Sequence, residues 1–119
     1  MIKKSRQYDL EDRTLEFARR SRAFVKNLPK TLANIEDGKQ LIRSSGSVGA
    51  NYIEANEALS KKDFIMRIKI CRKEAKESRY WLRLIDIDGK PDLENERKGL
   101  EQEATELTSI FGSILQKSK

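Results

Sequence analysis

Apolar residues recur along this chain with helical rather than strand spacing, in four stretches separated by three short breaks. In the first stretch, about 9–27, Leu10, Phe17 and Phe24 stand seven apart, with Thr14, Ala18 and Val25 filling in. Leu28-Pro29-Lys30 then marks a tight connection, because proline ends one helix and can open the next. The third stretch, about 61–87, has the clearest pattern. Phe64, Ile68, Cys71, Ala75, Ser78, Leu82 and Ile85 alternate spacings of four and three, as expected of a bundle seam. Ser60 with Asp63 three residues on resembles an N-capping box. Asp88-Gly89-Lys90-Pro91 reads as a turn. The fourth stretch, about 91–116, repeats Leu93, Leu100, Leu107 and Ile114 at seven, supplemented by Ala104, Ile110 and Phe111. Acidic Asp92, Glu94 and Glu96 occupy its first turns, where the helix dipole favours them.

The second stretch, about 31–58, is less regular. Leu32, Ile35, Ile42, Ser45, Gly49, Tyr52 and Leu59 trace one stripe, yet the middle runs Ser44-Ser45-Gly46-Ser47-Val48-Gly49-Ala50. Propensity favours a loop there, since each glycine costs about 1 kcal/mol relative to alanine. The apolar register continues through the run, and this favours one helix packed closely on a neighbour. Short connections force antiparallel neighbours, so the expected fold is an all-α, up-and-down four-helix bundle forming a single domain, 1–119.

Composition fits that picture. The chain has 119 residues, 37% hydrophobic and 37% charged, a balance suited to helices with one buried stripe and a wide solvated face. Two prolines and six glycines are too few for the turns of a β-sandwich or barrel. No stretch approaches the ~20 apolar residues of a membrane span. The N-terminus, Met1-Ile2-Lys3-Lys4-Ser5-Arg6, lacks the apolar run of a secretory signal. A cytoplasmic protein is expected, with the lone Cys71 a buried small hydrophobe.

The net charge of +6 changes the picture more, because it is concentrated. Residues 61–83 hold nine basic and three acidic side chains, an excess equal to that of the whole chain. Projected at 100° per residue, Phe64, Ile68, Cys71, Ala75 and Leu82 face the core. Lys61, Lys62, Lys69, Arg72, Lys73, Lys76, Arg79 and Arg83 fall nearly opposite, in a sector about 120° wide. Such a stripe, about 33 Å long, matches the electrostatic footprint of a surface that tracks a phosphate backbone. The competing reading is a solvated face that keeps the protein soluble. The stripe reads as free of aromatic residues, which predicts backbone-directed, sequence-tolerant binding. A further flank holds Met66, Ile70, Trp81 and Leu84 among Asp63, Glu74 and Glu77. It is either an oligomer interface, where tryptophan is favoured, or part of a wide core covered by the first or fourth helix.

Catalytic and metal chemistry find no foothold in the residue types. With no histidine, the commonest general base and metal ligand is missing, and serine or cysteine nucleophiles lack their usual activator. A ferritin-like site needs Glu-x-x-His. The Gly-Ser-Val-Gly run lacks the Gly-Lys-Ser/Thr ending of a phosphate loop. Glu54, Glu74 and Glu77 read as ion-pair partners of Arg43 or Arg67 rather than as catalytic groups. No cofactor and no enzyme activity are expected.

Two segments resemble a known bacterial family. Arg43-Ser44-Ser45-Gly46-Ser47-Val48-Gly49-Ala50-Asn51-Tyr52-Ile53-Glu54-Ala55 is similar to its small-residue helix motif, which ends in Asn, two variable residues and Glu-Ala. Lys73-Glu74-Ala75-Lys76-Glu77-Ser78-Arg79-Tyr80-Trp81-Leu82 is similar to its second signature. The family is the "four helix bundle protein" family, also called 23S rRNA-intervening sequence proteins. The resemblance covers about 15–87. It implies a cytoplasmic bacterial bundle assembled as a ring-like homopentamer, which would account for the flank around Trp81. Arg43, Asn51, Glu54, Glu74 and Glu77 match the motif and read as structural polar contacts. A related group, the accessory proteins of diversity-generating retroelements, binds nucleic acid and a reverse transcriptase through a basic surface. By that similarity Lys62, Lys69, Arg72, Lys76, Arg79 and Arg83, with Lys73 beside them, become candidates for contact with RNA or DNA. The alternative is a protein-interaction scaffold with an acidic partner and no nucleic-acid role.

Overall fold

The computed structural model describes residues 6–119, with side chains from Leu10 onward. Residues 1–5, on which the lack of a leader was read, lie outside the described residues. Four helices follow one another: α1 (Arg6–Lys26), α2 (Leu32–Asn56), α3 (Lys61–Leu84) and α4 (Pro91–Lys117). Local chemistry sets their ends. The Thr31 hydroxyl accepts the Asn34 N–H at 3.1 Å and the Ser60 hydroxyl accepts the Asp63 N–H at 3.0 Å, so two of the N-termini have side-chain caps. Pro91 opens α4, where its missing N–H costs nothing. Asp88 and Gly89 adopt left-handed φ values of 56° and 67° in the turn before it.

Consecutive helices pack side by side, α2 most extensively on α3, and α4 returns to α1 to close the bundle. The α1–α4 seam is the sparsest and is bridged at the surface by ion pairs, Arg13 to Glu103 at 2.7 Å and Arg20 to Glu96 at 3.3 Å. The core comprises Phe17, Phe24, Leu41, Val48, Ile68, Leu82, Leu100, Leu107 and Phe111 with smaller residues between them. Every member of the expected α3 seam except the half-buried Phe64 is buried, Ile85 from just beyond the helix end.

α2 is one unbroken helix through 44–50, and its small residues explain why. The Ser44 and Ser78 hydroxyls meet at 2.8 Å in the α2–α3 seam, and a Cβ on Gly49 would stand 2.9 Å from Thr14 Oγ1 of α1. Glycine and serine thus let both neighbours approach. The expected α2 stripe holds only in part, however. Leu32 is 78% exposed and Leu59 100%, and Ile35 is also exposed, whereas Asn34, Gly38, Leu41, Ser44, Val48 and Ala55 face inward with Ser45 and Tyr52. The expected stripe thus holds in its middle, at Ser45, Gly49 and Tyr52, and fails at its ends, where Leu32 and Ile35 face outward and Leu59 lies beyond the helix.

α3 also ends three residues earlier than expected. Beyond Leu84 the chain is extended, and Ile85 and Ile87 are buried on either side of exposed Asp86. That two-residue alternation belongs to a strand-like segment laid over the end of the core. Buried Asn34 fastens it: its amide donates to the carbonyls of Pro29 (3.1 Å) and Asp86 (2.8 Å), and its Oδ1 accepts the Asp86 N–H at 3.0 Å.

Candidate nucleic-acid interface

The seven candidate cations, Lys62, Lys69, Arg72, Lys73, Lys76, Arg79 and Arg83, are all exposed. Their order on α3 follows from a period of 3.6 meeting a spacing of seven, which drifts only about 20° per repeat. Lys62, Lys69, Lys76 and Arg83 form a central row with steps of about 10.5 Å. Arg72 and Arg79 flank it toward α4, and Lys73 flanks it on the other side. Arg72 reaches across Gly112 of α4, where a Cβ would stand 3.6 Å from its Nε. With Ile65, Lys69, Leu115, Gln116 and Lys119 these two residues line a hollow of about 440 Å³ whose lining includes no acidic side chain. Arg79 stands beside Lys98, Glu101, Gln102 and Thr105 of α4.

None of the seven has an ion-pair partner among the described residues, and two of the three acids of α3, Glu74 and Glu77, are engaged elsewhere. Arg43 of α2 lies 3.4 Å from buried Glu74 and 3.3 Å from Glu77. Arg67, the one basic residue of α3 turned toward α2, donates to Asn51 Oδ1 at 3.0 Å and lies 4.0 Å from Glu54. The residues that carry the small-residue motif and the second signature therefore meet in the α2–α3 seam. Their pairing leaves the outer face of α3 with uncompensated positive charge.

The expected oligomer flank splits in two. Met66 and Leu84 are exposed, whereas Ile70 and Trp81 are half-buried, and Trp81 packs on the core of its own bundle. The Trp81 Nε1 is buried without a hydrogen-bond partner among the described residues. Its neighbour Tyr80 is 58% exposed and meets the indole edge to face, with ring centroids 5.2 Å apart at 77°. Tyr80 follows Lys73 by seven residues and precedes Arg83 by three, so it lies within the basic sector. The stripe is thus not free of aromatics. A projection that placed all residues of the second signature, rather than the charged ones alone, would have located it.

Among the described residues no cluster of acidic or sulfur side chains could hold a metal. Cys71 is buried, and burial pushes its thiol up to about 12, so it carries no thiolate at neutral pH. A separate hollow of about 550 Å³ between the end of α1 and the start of α4 combines Phe24 and Leu93 with Lys90, Asp92 and Glu96. Its mixed charge selects no ligand class. No described helix is long and apolar enough to cross a membrane.

The sequence pattern of the 23S rRNA-intervening sequence proteins matches residues 6–113. The chain belongs to that family. Family membership and the helical bundle are as the two motifs implied, and the match extends over most of α4 as well. A solved relative is a protein of unknown function from the S23 ribosomal protein family of Bacteroides thetaiotaomicron VPI-5482. It is 30% identical, covers 94% of this chain and 99% of its own, and superposes with a TM-score of 0.78. No curated protein matches. Neither the family's description nor that relative names a catalytic activity.

Proposed function

We propose that this family member is a non-enzymatic, oligomeric protein that binds the backbone of RNA or DNA through the basic face of α3, acting alone or as an accessory of a ribonucleoprotein. The observation that carries the reading is the separation of charge on α3. Seven exposed cations stand in rows, and Glu74 and Glu77 are drawn to Arg43 on the other side. A merely solubilising surface needs no such sorting and commonly interleaves both signs. Buried, free Cys71 suits a reducing cytoplasm.

Assembly into a ring is the second part of the proposal. A closed ring joins two unlike surfaces of one protomer, head to tail. Two separate sets of exposed apolar residues support this: Leu15, Ile35 and Ile53 on α1 and α2, and Met66 and Leu84 on α3. Repeating the stripe around a ring, five times in a pentamer, would add avidity to weak phosphate contacts.

The test is fluorescence anisotropy of a labelled RNA hairpin at 50 and 200 mM salt. If one protomer engages about four phosphates, affinity falls roughly 150-fold over that range through counterion release. Changing Lys69, Lys76 and Arg83 together to Glu is expected to abolish binding while helicity and assembly persist. Binding that survives the triple change refutes the stripe. The scaffold reading, which the same exposed cations would serve, predicts instead an acidic protein partner that unrelated RNA does not displace.

A further inference from the structure

We infer that Tyr80 is a base-stacking platform within the basic face, which makes that face selective for single-stranded over duplex nucleic acid. The inference rests on the nucleic-acid reading above and adds the class of strand it takes.

Among the described aromatic side chains Tyr80 is the only exposed one. Phe17, Phe24, Tyr52 and Phe111 are buried, and Phe64 and Trp81 are half-buried. The helix places cations around it: Lys73 seven residues before, Lys76 four before and Arg83 three after, all exposed. The Tyr80 ring also rests against Trp81. In an edge-to-face contact either the tyrosine edge meets the indole face or the reverse. In both cases at least one face of Tyr80 stays clear of Trp81. Trp81 is itself packed against the core, so this contact favours one placement of the Tyr80 ring.

An exposed ring among cations is the pairing that single strands exploit, with phosphates on the lysines and arginines and an unstacked base on the ring. A duplex offers the same phosphates, but its bases are already stacked on one another. Tyr80 therefore adds affinity for the single strand alone, whereas the cations serve both.

The experiment compares the full chain with Tyr80→Phe and Tyr80→Ala, using a labelled 20-nucleotide single-stranded RNA and the duplex of the same length at 50 mM salt. Melting and light scattering confirm fold and mass. Wild type is expected to prefer the single strand, and Tyr80→Phe to keep that preference. Tyr80→Ala is expected to weaken single-strand binding about 5- to 100-fold with duplex binding within about twofold of wild type. Trp81, the chain's only tryptophan, is expected to change emission with the single strand and not with the duplex. Equal losses for both nucleic acids, or none for either, overturn the stacking role and leave the basic-face reading intact. Absence of binding by wild type to either overturns that reading too. A lower oligomeric mass for Tyr80→Ala shows the ring buried between copies of this chain and overturns the inference by another route.

Discussion

Gly46 and Gly49 lie one turn apart in α2, and alanine at the two positions is expected to act with opposite sign. In a helix interior, glycine to alanine gains about 1 kcal/mol through backbone entropy. At Gly46 the new Cβ meets only the Arg22 guanidinium, at 3.7 Å, so the gain is kept. At Gly49 it would stand 2.9 Å from Thr14 Oγ1 and 3.2 Å from Thr14 Cβ. Thr14 cannot turn aside easily. It is 1% exposed, β-branched, and its hydroxyl donates to the carbonyls of Leu10 and Glu11 at 2.9 and 3.0 Å. Overpacking of this kind costs about 1–3 kcal/mol. The propensity gain is common to both variants, so the difference between them isolates the clash. At roughly 3–5 °C per kcal/mol, Gly49→Ala is expected to melt roughly 3–15 °C below Gly46→Ala. Circular dichroism at 222 nm, at matched protein concentration because assembly shifts the midpoint, provides the measurement. Adding Thr14→Ala is expected to return part of the loss, with a coupling above about 0.5 kcal/mol in the double-mutant cycle. The reasoning fails if Gly49→Ala melts with or above Gly46→Ala, for then α1 and α2 do not approach as closely as drawn.

Three further outcomes are expected. Asn34→Leu strips the Pro29 and Asp86 backbone groups of their buried partner and is expected to cost about 2–4 kcal/mol by urea titration; a loss under about 1 kcal/mol contradicts the stapling role. Cys71 keeps its proton in the folded state up to about 12 against an ordinary 9.0, so its contribution to stability is complete below pH 9 and is lost as pH rises toward 12. Relative to Cys71→Ala, wild type is therefore expected to lose about 1.4 kcal/mol more between pH 7 and pH 10; parallel pH profiles would exclude this linkage. Arg43→Ala leaves Glu74 buried without its cation and is expected to cost about 1–3 kcal/mol, most of it restored by adding Glu74→Leu; additive losses would show that the pair is not coupled.

Much of the fold was legible because α3 and α4 obey simple rules. Their seams repeat with bulky apolar residues, and the breaks at Pro29 and at Asp88-Gly89 cannot continue a helix. The candidate site was half legible. The cations of α3 declare themselves by type and spacing, as do Arg43, Glu74 and Glu77 by sign. Which acid Arg43 takes depends on how α2 lies against α3.

By itself, then, the sequence determined four helices, their antiparallel order and the sector of α3 that carries the charge, since each follows from local periodicity and chain breaks. Tertiary structure alone decided which ends of the α2 stripe turn outward, the extended segment through Ile85 and Ile87, and the different exposure of adjacent Tyr80 and Trp81. The physical reason is common to all three. Periodicity specifies an angle around a helix axis, whereas burial depends on how near a neighbouring backbone can come. On α2 that distance is set by glycine and serine at its contacts with α1 and α3, residues whose small size leaves no mark in a hydrophobic pattern, whereas Asn34 brings in the segment at Asp86.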